Sequence, residues 1–312
     1  MLDRLTENKI ILVTRRTRLE DLVSRYGTPA QARFYIEHLG ADFGEYLGEH
    51  ERYAACRTEA TTVLGRLGRL QVVDRAFLPN FLFGTEDVVV ALGQDGLVAN
   101  TMKYLDGHPL VGVNPDPQRW DGILLPFRVK DLVNIIPEVF ARRRKVRDVT
   151  MAQAVLRNGQ TLFAVNDLFI GPKTHTSALY TIRLGAVEEK QSSSGIIVST
   201  GLGSTGWLKS LVVGAEGIVA GLTQRKVESR FRPVPWDSRY LHFTVREPFP
   251  SRHSGVGLVF GRIGEEEIFT VVSHMAENGV IFSDGIEADR IEFAGGMTAT
   301  VQVAERKGRL VC

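Results

Sequence analysis

Val88-Val89-Val90-Ala91-Leu92-Gly93-Gln94-Asp95-Gly96-Leu97 is an unbroken apolar run that ends on a glycine turn and resumes as a helical pattern over residues 97–105. Five consecutive aliphatic residues suit a strand buried on both faces, and the turn makes this a strand-turn-helix step of an α/β sheet. In such sheets ligands bind at the carboxyl ends of strands. Glycine lets backbone N–H groups approach a phosphate, and an Asp in the turn can act as general base on a hydroxyl. The plain alternative is that Asp95 caps the helix and the glycines serve the turn, which the turn taken alone slightly favours.

Before this step, residues 10–14 (Ile-Ile-Leu-Val-Thr) form a β-branched run suited to a buried parallel strand, with a helix expected after residues 15–20. Thr28-Pro29-Ala30-Gln31 combines an N-cap with a proline at the first helical position and a glutamine at the third. It predicts a helix to Leu39 with Phe34, Tyr35 and Leu39 as its apolar stripe. Residues 51–67 read as another helix, residues 72–73 and 87–92 as strands, residues 110–113 as a further strand and residues 131–143 as the last helix. The alternation predicts an N-terminal doubly wound α/β domain over residues 1–145.

Past Arg142-Arg143-Arg144-Lys145, read as a solvated linker face, strand patterns dominate: 161–165, 178–184, 195–199, 240–245, 257–260, 268–272, 289–293 and 298–303. Few helices are expected between them, and Gly295-Gly296 predicts a closing hairpin. The second domain, residues 146–312, is therefore expected to be all-β.

Within it, Gly201-Leu202-Gly203-Ser204-Thr205-Gly206 spells a G-x-G-x-x-G dinucleotide fingerprint. It stands in the β-rich half, with Arg225-Lys226 where an acid is expected, so it reads as a phosphate or ribose contact in another architecture, against the plain reading of a tight turn. Asn166-Asp167, at the end of an apolar run, can hydrogen-bond nucleotide hydroxyls or amides, or can simply form an Asx turn. Trp207 can stack on a base or fill the core.

Composition bounds the function. The 312 residues, 44% of them apolar, suffice for two domains, and 38 basic against 36 acidic residues (formal charge +2) give no electrostatic reason to expect nucleic acid or a membrane as partner. Cys56 and Cys312 match neither a disulfide framework nor a zinc site, which fits a reducing cytoplasm. Residues 1–5 do not read as a secretory signal, and charged residues interrupt the apolar stretch 195–222. The seven histidines show no metal-ligand spacing, so no structural metal is expected.

In order, Gly93-Gln94-Asp95-Gly96, Gly112-Val113-Asn114, Asn166-Asp167 and Ser199-Thr200-Gly201-Leu202-Gly203-Ser204-Thr205-Gly206-Trp207 resemble the successive signatures of the NAD kinase family. Residues 31–38, 112–117 and 190–195 look like its mitochondrial-type branch, and the resemblance extends over about residues 10–285. It implies an α/β domain and a C-terminal β-sandwich domain with the nucleotide in the cleft between them. It also implies transfer of the ATP γ-phosphate to the 2′-hydroxyl of NAD with a divalent cation such as Mg²⁺, in homodimers or homotetramers. By that resemblance Asp95 is the catalytic base and Gly93 and Gly96 lie near the phosphates. Asn166 and Asp167 hold NAD. Thr200, Ser204, Thr205 and Trp207 line the dinucleotide, Trp207 replacing the usual tyrosine, and Asn114 and Gly203 belong to the same binding set.

The chain departs from the family at four places. Gln94 and Leu97 replace the second glycine and the threonine of Gly-Gly-Asp-Gly-Thr, Ser194 replaces a common Asp, and Trp120-Asp121-Gly122-Ile123-Leu124 replaces the usual Gly-x-Leu-Gly-Phe. Two other readings therefore stay open. One is a nucleotide-binding protein without turnover. The other is a kinase of a sugar or lipid hydroxyl, since diacylglycerol and sphingoid kinases and phosphofructokinases use similar glycine-Asp turns.

Overall fold

The computed structural model describes Arg4 and residues 6–225 and 231–312; the sequence readings at residues 1–3, 5 and Lys226 lie outside them. The chain divides into two units, one running to Arg147 and including Arg309–Cys312, the other Asp148–Gly308.

In the first unit four parallel strands, β1 (Lys9–Thr14), β2 (Arg69–Asp74), β3 (Val88–Leu92) and β4 (Pro109–Val113), lie in the order β2-β1-β3-β4. Arg309 and Leu310 add a short parallel pairing to Pro109 and Leu110. Every residue of β3 is buried, as a strand covered on both faces requires. Ile10, Leu12, Val88, Val90 and Leu92 point to one face. There they meet Tyr53, Ala60 and Leu64 of α3 (Phe43–Leu67) and Leu132, Ile135 and Ile136 of α5 (Leu132–Phe140). Ile11, Val13, Val89 and Ala91 point the other way and are equally buried, and α4 (Asp95–Met102) contacts β3 and β4. Helices α1 (Arg18–Tyr26) and α2 (Pro29–His38) complete the unit.

Local capping follows the sequence. Thr17 and Glu20 close a capping box on α1, and Thr28 Oγ1 accepts from Gln31 N at 3.2 Å. The buried face of α2 does not. Ala32 and Ile36 pack against Leu19 and Phe43, while Phe34 and Leu39 are 72% and 63% exposed. Close approach of α1 favours the small Ala32 over a row of large side chains, a choice made by the neighbour and not by hydrophobicity. Helix α3 begins eight residues earlier than its apolar spacing indicates, at an Asp42 cap whose Oδ1 accepts from Gly44 N at 2.7 Å.

The second unit contains β5 (Val146–Leu156), most of which lies in it, then β6 (Thr161–Ala164), β7 (Asp167–Pro172), β8 (Ala178–Leu184), β9 (Val187–Ser193), β10 (Ile196–Ser199), α6 (Trp207–Thr223), β11 (Tyr240–Val245), β12 (Phe260–Gly264), β13 (Phe269–Ser273), β14 (Gly279–Ser283), β15 (Ile286–Glu292) and β16 (Thr298–Val311). One sheet runs β16-β13-β8-β9 with β5 and β6 beside it, the other β12-β11-β10-β7-β14-β15. Ile182, Phe269, Val271 and Val301 of the first meet Ile170, Val198, Phe243 and Ile281 of the second in one core, with Phe243 and Phe269 stacked at 4.8 Å. The expected β-sandwich is thus present.

Three expectations are corrected here. Gly295-Gly296 does not close a hairpin: β15 pairs with β14 and β16 with β13, so the two glycines carry the chain from one sheet to the other, Gly296 at φ +85°. The 17-residue helix α6 occupies a stretch whose glycines mask its helical period. Four strands, β5, β7, β9 and β14, lie beyond the expected set; β9 (Val-Glu-Glu-Lys-Gln-Ser-Ser) is polar enough to read as a loop, and only its pairing with β8 makes it a strand.

His242 on β11 lies among Tyr240, Phe231 and Phe260, opposite Arg262. Burial, with the Arg262 charge, pushes its imidazole pKa down to about 4. The unfolded chain takes up this proton near pH 6.5 and the folded chain near 4, so stability falls as pH drops through that window. His242→Phe is expected to flatten the fall in melting temperature between pH 7 and 4.5; an unchanged slope would show that His242 is not responsible.

Candidate functional site

The turn after β3 is shaped by its neighbours. A Cβ on Gly93 would lie 2.8 Å from Leu97 Cδ2, whereas Gly96 is exposed with open space beside it. Gln94 occupies the N-cap position of α4 without a side-chain cap bond. Asp95 opens the helix, yet its carboxylate does not cap it: Oδ1 accepts from the backbone N–H of Leu124 at 2.7 Å. That leaves Oδ2 for another donor. The plain reading of Asp95 as a helix cap therefore gives way to a tether across the unit.

The partner loop, residues 114–125, is itself fastened. Asn114 is buried; its Nδ2 donates to Trp120 O at 3.0 Å and its Oδ1 accepts from Asp116 N at 2.9 Å, while Asp116 pairs with Arg52 at 2.7 Å. Gly122 sits at φ +64° against Asn114. A Cβ on Gly112 would fall 1.9 Å from Leu124 O, so glycine alone lets β4 approach the residue that holds Asp95. Gly112→Ala is expected to destabilise the protein by about 2 kcal/mol or more through this clash; a melting temperature equal to that of the parent would show that the loop yields freely.

In the second unit, Asn166 and Asp167 lie at the turn between β6 and β7, both half-buried. Their backbone is gripped from two sides. Thr200 Oγ1 donates to Val165 O at 2.6 Å and Thr200 N to Asn166 O at 2.9 Å. The Asp284 carboxylate accepts from Val165 N, Asn166 N and Asp167 N. Burial pushes the Asp167 carboxyl up to about 7, the nearby Asp284 charge adds to the rise, and a Ser199 hydroxyl bond opposes it. Its Oδ1 is buried without a hydrogen-bond partner.

The 201–206 turn is close-packed on this segment. A Cβ on Gly203 would lie 2.2 Å from Asn166 O and one on Gly201 1.9 Å from Pro235 O. Thr200 and Ser204 are buried, and Ser204 Oγ donates to Gly201 O at 2.7 Å and accepts from Val234 N at 2.9 Å. Their hydroxyls, like the Asn114 amide, make hydrogen bonds inside the fold that shape their loops. Thr205 is exposed.

Trp207 is partly buried and packs against Phe169, as its core reading expects. It stacks on Phe169 at 5.9 Å and 13°, and the Arg246 guanidinium lies 5.6 Å from its ring centroid. With Phe282, Lys173 and Arg290 these residues line a cavity of about 300 Å³. Sequence reasoning missed Asp284, Phe169 and Arg246. The one signal available was Ser283-Asp284-Gly285 between two apolar runs, a tight-turn signature that names no partner.

Among the described residues no three His, Cys, Asp or Glu side chains converge as a metal cluster, and no helix is long and apolar enough to cross a membrane. Cys56 and Cys312 are both free.

No protein-family model matches the chain. Among curated proteins it is 29% identical to an NAD kinase of Ralstonia nicotianae over 43% of this chain and 46% of that protein. It is also 29% identical to one of Cupriavidus pinatubonensis, over 40% and 42%, and 30% identical to one of Methylococcus capsulatus, over 40% and 44%. The matches thus span less than half the length of these relatives. In structure, 97% of the chain superposes on an NAD kinase from Archaeoglobus fulgidus solved in complex with ATP (TM-score 0.58, 15% identity, 93% of that chain). A yeast NADH kinase complexed with NADH covers 98% of this chain and 84% of its own (TM-score 0.55, 14% identity). The chain is a relative of the NAD kinases and carries their fold.

Proposed function

We propose that this protein is an NAD kinase-like phosphotransferase that moves the γ-phosphate of ATP to the 2′-hydroxyl of NAD, giving NADP. The observation that carries the reading is the tether of Asp95: with Oδ1 held by Leu124 N–H, Oδ2 is the free lone pair for a substrate hydroxyl. As the 2′-oxygen attacks the γ-phosphorus, its proton passes to Asp95 Oδ2, the bond from γ-phosphorus to the β,γ-bridging oxygen breaks, and ADP leaves. Phosphoryl transfer asks for positioning and charge stabilisation more than covalent help, and a single oriented carboxylate suits it.

Gly93 and Gly96 are assigned to the phosphate side of the site: Gly93, whose N–H donates to Val113 O at 3.1 Å, keeps the turn tight, and the exposed Gly96 leaves its backbone open to a phosphate. Asn166, Asp167, Thr205 and Trp207 are assigned to the dinucleotide, with Asn114, Thr200, Gly203 and Ser204 shaping the loops that present it. Mg²⁺ would be held chiefly by phosphate oxygens and water and would neutralise phosphate charge, leaving Asp95 Oδ2 for the hydroxyl proton. The two free cysteines support a reducing, cytoplasmic setting, and a homodimer or homotetramer is the assembly proposed by analogy with the family.

Formation of NADP from NAD and Mg-ATP by the purified protein tests the reading. Turnover supports it. Binding of NAD without turnover would favour the nucleotide-binding reading that Gln94 and Leu97 motivate, and turnover confined to a sugar or lipid hydroxyl would move the acceptor.

A further inference from the structure

We propose that Asp284 is a positioning residue of the acceptor site: by gathering the consecutive backbone N–H groups of Val165, Asn166 and Asp167 on its carboxylate, it fixes the direction in which the Asn166 and Asp167 side chains meet the dinucleotide. This rests on the NAD-binding assignment made above for those two residues.

The geometry is specific. Asp284 Oδ1 lies 3.1 Å from Val165 N, 2.6 Å from Asn166 N and 3.3 Å from Asp167 N, and Oδ2 lies 3.1 Å from Val165 N. In return Asp284 N donates to Asp167 O at 2.9 Å. Successive N–H groups that point into one concavity form an anion site, and bonds from them to a carboxylate are charge-assisted. Here an internal carboxylate fills that concavity. Residues 165 and 166 lie between β6 and β7, so regular pairing with a neighbouring strand does not hold them.

The residue is placed there by a strained turn. Asp284 has φ +55° and Gly285 φ +71°, the left-handed pair that a tight β14–β15 connection uses, and Asp and Asn are among the few side chains that tolerate it. Thr200 holds the carbonyls of Val165 and Asn166 from the other side. Both donors and acceptors of the segment are therefore committed, and its side chains are the part left to act. The Asp284 charge also bears on Asp167, whose buried Oδ1 has no hydrogen-bond partner. Asp284 touches backbone, not substrate, and acts through the residues it orients.

The test compares Asp284→Ala and Asp284→Asn with the parent protein by calorimetric titration of NAD and by NADP-forming kinetics. Asn keeps an acceptor oxygen and tolerates the left-handed backbone, so it guards against a variant that simply fails to fold. Asp284→Ala is expected to raise the Kd and KM for NAD by about tenfold or more while the KM for ATP stays within about twofold, and Asp284→Asn to recover much of that loss. If Asp284→Ala is unfolded by circular dichroism, a rise of the NAD Kd by about threefold in folded Asp284→Asn supports the proposal and parent-like affinity overturns it. Parent-like NAD affinity in both variants overturns it, as does an equal loss for NAD and ATP. A parent protein that binds no NAD overturns the assignment of Asn166 and Asp167 and this inference with it, an outcome visible before any variant is made.

Discussion

Asp95→Asn is expected to lower kcat for NADP formation by about 10² to 10⁴, with the Kd for NAD within a few-fold of the parent value. The expected selectivity comes from the two oxygens of the carboxylate. Asn keeps an oxygen that can accept from Leu124 N–H, so the 114–125 loop and the turn after β3 should hold their places. The other position becomes an amide, which has no lone pair able to take the 2′-hydroxyl proton. Steady-state kinetics beside a calorimetric NAD titration separate these effects. Loss of binding together with rate would mean that Asp95 supports the turn and not the chemistry. An unchanged rate would remove it as base and return it to a structural tie.

Asp167→Asn is expected to move stability and binding in opposite directions. The carboxyl titrates at about 7 in the folded protein against 3.8 for the free group. Below pH 3.8 both states are protonated and no penalty exists. Between 3.8 and 7 the unfolded chain ionises first, so the folded state loses ground, and above 7 the penalty is complete, at most about 4 kcal/mol. Asn carries no charge and escapes it. The variant should therefore melt higher than the parent at pH 8, and the gain should vanish by about pH 4. The same substitution should weaken NAD binding by about tenfold or more, because it swaps a group that can accept through both oxygens for one that donates at one of them. Melting curves at pH 4 and 8 with NAD titrations at pH 8 check both halves. A variant less stable than the parent at pH 8 would show that Asp167 is stabilised by partners as a carboxylate. Unchanged affinity would remove it from the acceptor site.

Much of the first unit was legible because its signals are local. A β-branched run followed by glycine and a helical period identifies β3, its turn and α4 without reference to anything distant, and Thr28-Pro29 marks the start of α2 in the same way. The face that α2 buries was not legible, since Ala32 and Ile36 win only where α1 comes close. Helix α6 was hidden by its glycines, and β9 by polar residues that become a strand only through β8. Gly295-Gly296 announced a turn correctly, but whether a turn returns a strand to its own sheet or sends it to another depends on partners far along the chain.

The candidate site divides along the same line. From the sequence alone came the residue types and their order: a glycine turn with Asp95, then Asn166-Asp167, then the 201–206 turn and Trp207, because each is a short contiguous pattern whose chemistry follows from its own atoms. Tertiary structure alone decided what each group is free to do. It tied Asp95 Oδ1 to Leu124, committed the hydroxyls of Thr200 and Ser204 inside the fold, and set Asp284 beneath Asn166 and Asp167. Hydrogen bonds and desolvation between residues remote in sequence leave no periodic trace along a chain, and they determine which lone pair, which proton and which ring face remain available for a ligand.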